Sequence, residues 1–315
     1  MVKPKTHKSS KFSHVDALLV GMSLIWGLNF VVVKASLDFF LPLSFNALRF
    51  SIASALLMLI LKLKEKTLKI HRSDLKRFIL LALIGNTVYQ ILFINGISRT
   101  TAGNSSLILA TAPIFIAVFS SALGVEKVER RVWEAMLISF LGILLIVLGS
   151  GKPLSLSAQN VLGDILILAC TMCWSAYTVL SKPMLEHYSP LRLVGLTVAI
   201  GTPPLILASA HSLTIQDWTC IPMEAWLGLA YSSCLAIAIG YTIWYTGVSQ
   251  VGGARTALYE NLVTVIAVAA AWTLLNETLS PLQLAGAALI FTGLHHSRKQ
   301  NALTKYFLTT RRLKP

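Results

Sequence analysis

The sequence predicts an all-α integral membrane protein with ten transmembrane helices, arranged as two inverted-topology five-helix repeats. Three observations carry that expectation. Of the 315 residues, 55% are hydrophobic and only 13% are charged, about half the charged share of an ordinary soluble domain. Ten apolar stretches approach the roughly 20 residues needed to cross roughly 30 Å of hydrocarbon. The first half of the chain also reappears 148 positions later.

The elements follow in order. The basic start MVKPKTHKSSKFSH resembles a signal peptide, but no small-residue cleavage site follows it. Residues 1–15 therefore read as a tail, and 16–36 as a retained first span. The second span, 44–62, runs into the basic loop KLKEKTLKIHRSDLKR before the third, 78–97. The fourth, 102–123, contains Pro113, which removes a helix hydrogen bond and bends the span. The fifth, 133–150, is short and closes the first repeat, 16–150. The second repeat, 161–297, comprises spans at 161–181, 190–210, 224–248, 254–275 and a short final one at 281–297. Residues 298–315 form a basic tail, either solvated or lying on the inner surface as an amphipathic segment. The joining segments are mostly under about ten residues, so neighbouring helices run antiparallel.

The net charge of +14 does not point to nucleic acid, because the basic residues sit at the ends and in loops. With the N-terminus inside, 23 of the 27 Lys and Arg residues fall on the inner side, leaving Lys34, Arg49, Arg99 and Lys152 outside. That asymmetry is a positive-inside signal placing both termini in the cytoplasm.

The repeat fixes the architecture. At an offset of 148, Asp16 meets Asp164, Trp26 meets Trp174, Lys34 meets Lys182 and Pro42 meets Pro190. Leu18, Val31 and Leu37 also meet identical residues. At 151, Gly96 meets Gly247, Glu126 meets Glu277 and Gly142 meets Gly293. Five spans is an odd number, so the second half enters the membrane from the opposite side. Such inverted repeats suit alternating exposure of one central site.

The stretches WGLNFVVVK and PLSFNALRF, then RTALYENLV and LLNETLSPLQLAGAALIFTG, resemble the drug/metabolite transporter superfamily, specifically its ten-span branch with two EamA-type repeats. The resemblance covers about residues 16–297. It implies a secondary carrier of small organic solutes, often an exporter of amino acids or other metabolites, in the bacterial inner membrane. Two departures stand out. Thr264 occupies the position matching Pro113 where a second Pro is usual, so the ninth span is expected to be straighter than the fourth. Glu126 lies in GVEKVERR, a more charged turn than the family's.

Polar groups inside a bilayer are costly and usually face the bundle interior. In the third span Asn86, Tyr89, Gln90 and Phe93 share one helical face; in the eighth, Tyr241, Trp244 and Tyr245 do the same. The 151 offset pairs Gln90 with Tyr241 and Phe93 with Trp244. These stripes, with Trp26 and Asn29 in the first span and Trp174 and Tyr177 in the sixth, are the candidate solute contacts. The alternative role is interfacial anchoring with interhelical hydrogen bonds for the stripes, and helix packing for the residues of the first and sixth spans. Asn104 and Thr111 share a face of the fourth span and line the same cavity or bond to a neighbouring helix. Glu260, with Asn261 beside it in the ninth span, is an intramembrane acid. It carries a proton, binds a substrate ammonium, or pairs with Arg255. Lys34 and Arg49, near the outer ends of their spans, attract a carboxylate or phosphate or snorkel to the headgroups. Glu126 and Glu277 read as turn or helix-end charges.

No cofactor is expected. The CxxC of Cys170 and Cys173 has no second ligand pair and reads as packing. An intramembrane enzyme is the rival class, but HExxH, GxSxG and paired mid-span aspartates are absent, and His295 and His296 do not share a face. A non-transporting receptor would not need a polar stripe in both halves. A nucleotide-sugar or phosphate-ester exchanger would want several central cations. The expected partners are a small-molecule solute and the lipid bilayer, not nucleic acid.

Overall fold

A Ser13–Asp16 capping box starts the first helix. The Asp16 N–H donates to Ser13 Oγ at 3.2 Å and the Ser13 N–H donates to Asp16 Oδ2 at 2.8 Å, satisfying two otherwise open backbone donors. The computed structural model describes residues 13–65, 68–97, 99–100, 102–149, 158–275 and 280–298. Lys152, Glu277 and most of both terminal tails lie outside the described residues, as do the side chains of Lys34 and Asn104.

Helix α1 spans His14–Ser36 and α2 spans Pro42–Lys64, with Pro42 in the first turn, where its missing N–H costs nothing. Helices α3, Leu75–Ala82, and α4, Tyr89–Ile97, join through a π-helical segment, Leu83–Val88, as one apolar rod. The expected fourth span is broken at Ala110 and Thr111 into α5, Ala102–Leu109, and α6, Ala112–Ala122. Pro113 sits in the first turn of α6, so the bend precedes the proline by one turn. Helix α7, Arg130–Gly149, is followed by α8, Ala158–Ser181, a 3-10 turn at Pro183–Glu186, and α9, Pro190–Ile215. Helix α9 carries Pro203 and Pro204 within it. Helices α10, Met223–Tyr231, and α11, Gly240–Val251, flank a second π segment, Ser232–Ile239. Helix α12, Gly253–Leu275, is continuous through Thr264, and α13 is Pro281–Arg298.

Seven helices among the described residues are long and apolar enough to cross a membrane, and Leu107–Ala122 is a shorter apolar helix. The burial pattern agrees with that environment. Leu59, Leu63, Leu141, Leu207 and Phe291 are exposed, whereas Ser23, Asn46, Asn86, Gln90, Ser139 and Thr197 are buried. An apolar exterior around a polar-containing interior is the arrangement lipid demands.

The two halves interlock in matching fashion. Helix α1 packs on α12 and along the α10–α11 rod, while α8 packs on α6 and along the α3–α4 rod. Helix α2 lies against α9, and α7 against α13. The repeated aspartates act alike: Asp16 accepts from Tyr259 and Asp164 accepts from Thr100, each a residue of the other half. The repeat extends to backbone irregularity, since Leu83–Val88 falls on 234–239, within the second π segment, at the 151 offset. Between α7 and α13 the backbones touch: a Cβ on Gly142 would lie 2.6 Å from the Gly286 carbonyl oxygen. Small residues permit this close helix contact.

Candidate functional site

Seven aromatic rings from α1, α4, α8 and α11 meet in one cluster that packs on both π segments. Trp174 is the hub. Its ring lies 6.0 Å from Trp26, 5.5 Å from Tyr89, 6.1 Å from Tyr177 and 5.4 Å from both Tyr241 and Trp244. Trp26 also packs on Tyr241 at 6.0 Å and on Trp244 at 5.6 Å, and Tyr177 on Tyr245 at 5.2 Å. Such separations are those of favourable edge and offset ring pairs.

The π segments admit these rings. A π turn loosens the helix and leaves carbonyls for other donors; Trp26 Nε1 donates to the Ala236 carbonyl at 2.9 Å. Tyr177 lies flat against Gly85, where an added Cβ would approach its ring to 2.2 Å. The Tyr177 and Thr197 hydroxyls share a 2.7 Å hydrogen bond, and Trp244 Nε1 donates to Thr178 Oγ1 at 3.3 Å.

A second layer is polar. Gln90 Nε2 donates to the Tyr241 hydroxyl at 3.4 Å, and Gln90 Oε1 accepts from Arg49 Nη2 at 3.0 Å. Several buried atoms have no hydrogen-bond partner: Asn29 Oδ1, both amide atoms of Asn86, Arg49 Nε, Trp174 Nε1, Tyr245 Oη and Glu260 Oε2. Buried polar atoms are nearly always paired, and leaving one unpaired costs about 1–3 kcal/mol. A concentration of them around one aromatic cluster marks a place for water or a polar ligand.

The predicted stripes therefore converge. Trp26, Tyr89, Gln90, Trp174, Tyr177, Tyr241, Trp244 and Tyr245 form one site, with Asn86 beside Gly85 in the π turn and Asn29 one turn beyond Trp26. Glu260 and Asn261 lie on α12; Glu260 is within electrostatic range of the Tyr89 and Tyr241 hydroxyls. It makes no ion pair with Arg255 among the described residues, so pairing does not explain that acid. The Thr111 hydroxyl donates to the Ile108 carbonyl at 2.5 Å, at the break between α5 and α6.

Arg49 corrects an expectation. It does not snorkel: it is only 8% exposed and turns inward to Gln90 and to Ser232 Oγ, the latter at 3.3 Å. The sequence carried a signal for this. Arg49 lies seven residues past Pro42, about 10 Å along the helix at 1.5 Å per residue, deep for a headgroup contact. Asn46, one turn earlier on the same face, is buried too.

Beyond the cluster, one end of the bundle is closed by contacts between the halves. Glu126 accepts the N–H groups of Gly253 at 3.1 Å and Ala254 at 2.9 Å and lies 4.0 Å from Lys182, whose Nζ donates to the Val248 carbonyl of its own half at 2.7 Å. Glu65 pairs with Arg192 at 2.7 Å and accepts from the Ser189 hydroxyl. Tyr188 donates to Asp74 Oδ2 at 2.9 Å and accepts the His71 N–H at 3.1 Å. Burial there pushes the Tyr188 hydroxyl above its ordinary pKa. Glu126 is thus a helix-end charge, as its turn suggested.

An apolar-surfaced helical bundle enclosing an aromatic and polar centre is a multi-pass integral membrane protein. Within that class the chain belongs to the EamA-like transporter family, whose sequence profile matches residues 14–148 and again 161–295. It is a transporter built from two EamA repeats. It is 27% identical over 288 residues to the uncharacterized transporter YyaM of Bacillus subtilis, covering 90% of this chain and 93% of that one. It is 29% identical over 293 residues to a probable amino-acid metabolite efflux pump of Salmonella typhimurium, covering 89% and 92%. A solved crystal structure at 15% identity superposes with a TM-score of 0.76 over 90% of this chain and 97% of that one, a likeness of fold alone. The Bacillus and Salmonella relatives are named as transporters rather than enzymes, and the family's business is with small solutes.

Proposed function

We propose that the protein is a secondary carrier that exports a small organic metabolite, an amino acid or similar amphipathic compound, by alternating access. The supporting observation is the convergence of the aromatic stripes of both repeats on one site rimmed by unpartnered buried polar atoms. In this reading the rings hold the apolar part of the solute and the free amide and hydroxyl groups orient its polar end. Ten spans, with repeats at 16–150 and 161–297 entering the membrane from opposite sides, let the halves exchange shapes and expose the site to each face in turn. The basic tails, 1–15 and 298–315, then face the cytoplasm of a bacterial cell and the carrier sits in its inner membrane. Glu260 is the group for a coupling proton or a substrate ammonium. The Salmonella relative, named as a probable amino-acid metabolite efflux pump, supports both the substrate class and the direction.

The test is uptake and efflux in proteoliposomes of purified protein. A panel of amino acids and amphipathic cations is assayed with and without a pH gradient. Saturable amino-acid movement above empty liposomes is the expected result; no movement of any panel member rejects the proposal.

A further inference from the structure

We infer that Arg49 is the specificity-determining anchor for a carboxylate on the transported solute. This rests on the carrier reading above and narrows it: the solute carries a free carboxylate, so amides, esters and purely cationic amphipaths are poor substrates.

The observation is an uncompensated cation. Arg49 is 8% exposed, and its guanidinium donates only to neutral acceptors, Gln90 Oε1 and Ser232 Oγ. Its Nε is buried with no hydrogen-bond partner. The guanidinium carbon lies 5.7 Å from the Phe45 ring centroid and 5.6 Å from Phe50, so aromatic faces enclose it and no acid among the described residues pairs with it. A guanidinium cannot shed its charge as a lysine can, and a buried charge is tolerated only when paired or hydrated. Its planar fork has five N–H groups, of which two donate to Gln90 and Ser232, so the rest can meet a carboxylate.

Position supplies the link to the solute. Gln90, held by Arg49, is bonded onward to Tyr241, which packs on Trp26 and Trp174. The guanidinium therefore stands one side chain, Gln90, away from the aromatic cluster. Glu260 reaches the same cluster from the other end of the bundle. It lies seven residues into α12 as Arg49 lies seven residues into α2, and the two helices start at opposite ends. Both charges act on the Tyr89 and Tyr241 hydroxyls. A lone cation and a lone acid flanking one aromatic cage fit a zwitterion, with its carboxylate at Arg49 and its ammonium toward Glu260. A phosphate monoester would bring two charges to one guanidinium.

The test compares free L-amino acids with their α-amides in counterflow through proteoliposomes, using wild type, Arg49→Gln and Arg49→Lys. Wild type should strongly prefer the free acids. Arg49→Gln should raise the KM for the acids roughly 10- to 100-fold, the loss expected for a charge-assisted bidentate hydrogen bond, and leave the amide KM unchanged. Arg49→Lys, which keeps the charge without the fork, should fall between. A purely structural Arg49 would depress acid and amide transport together, and that result overturns the assignment. So does wild-type transport of amides as fast as acids, which leaves the carrier reading standing. Transport of neither by wild type, or of inorganic phosphate in their place, overturns the amino-acid reading as well. If Arg49→Gln fails to fold, the wild-type acid-to-amide ratio and Arg49→Lys decide.

Discussion

Glu126 accepts the Ala254 N–H at 2.9 Å and the Gly253 N–H at 3.1 Å, so a loop of the first half caps a helix of the second. A carboxylate at the first turn of a helix meets open donors and the positive end of the helix dipole. Lys182 lies 4.0 Å from the same carboxylate and holds the Val248 carbonyl, at the end of the preceding helix. Glu126→Ala should therefore cost about 1 kcal/mol, the usual value of a lost cap, read as a lower melting midpoint in detergent. It should also loosen this end of the bundle. In a background lacking the four native cysteines, Ser181→Cys, buried in the parent, should react faster with a maleimide when Glu126 is Ala. Equal melting and equal labelling would show that the contact closes nothing.

The α7–α13 contact makes a sharper stability test. The Gly142 carbonyl would lie 2.4 Å from a Cβ at Gly286, closer than backbone and side chain can come. Gly286→Val must push the helices apart, and overpacking of this kind costs about 1–3 kcal/mol. A substantial fall in detergent melting midpoint is expected. Val at Gly21, where an added Cβ would meet nothing within 4 Å, is the control and should melt like the parent.

The three clustered tryptophans give an optical readout of the site. Trp26, Trp174 and Trp244 lie within 5.4–6.0 Å of each other, so solute entering among them changes their emission. Titration of the reconstituted protein with a transported, non-fluorescent solute should shift or quench that signal saturably. Trp174→Phe, which removes the hub and its unpartnered N–H, should remove most of the response. A full response from that variant would put the solute elsewhere.

Much of this was legible in the sequence, for a physical reason. Membrane helices announce themselves by length and apolarity, and the repeated Asp16 and Asp164 survive as matched contacts between the halves. The aromatic stripes were legible because helical spacing alone puts Tyr241, Trp244 and Tyr245 on one face. Arg49 was legible only in part: its depth, seven residues past Pro42, argues against a headgroup contact, but the partners that hold it inward, Gln90 and Ser232, come from distant segments. The π segments were invisible as well: Leu83–Val88 and Ser232–Ile239 have ordinary apolar compositions, and their extra residue per turn follows from what packs on them, Tyr177 on one and Trp26 on the other. Thr111 was ambiguous in the sequence for a local reason, since a hydroxyl beside a helix break can satisfy itself on its own backbone.

Glu260 separates two modes of energy use. Its Oε2 is buried and closes no full hydrogen bond, the Trp174 side chain being within electrostatic reach, and no cation among the described residues pairs with it. An acid left so in a membrane interior costs several kcal/mol unless a proton, water or a solute cation relieves it. Glu260→Gln keeps the shape and removes the charge. If the group carries a coupling proton, the variant loses accumulation driven by a pH gradient but keeps counterflow, which requires no net proton movement, and its rate no longer varies with pH. If the group binds an ammonium, the variant shows a higher KM in counterflow for amino acids than wild type, while a solute bearing only a carboxylate is unaffected. Measuring gradient-driven uptake and counterflow on the same liposomes distinguishes the two. A variant indistinguishable from wild type in both, across the pH range, would leave Glu260 without a part in transport.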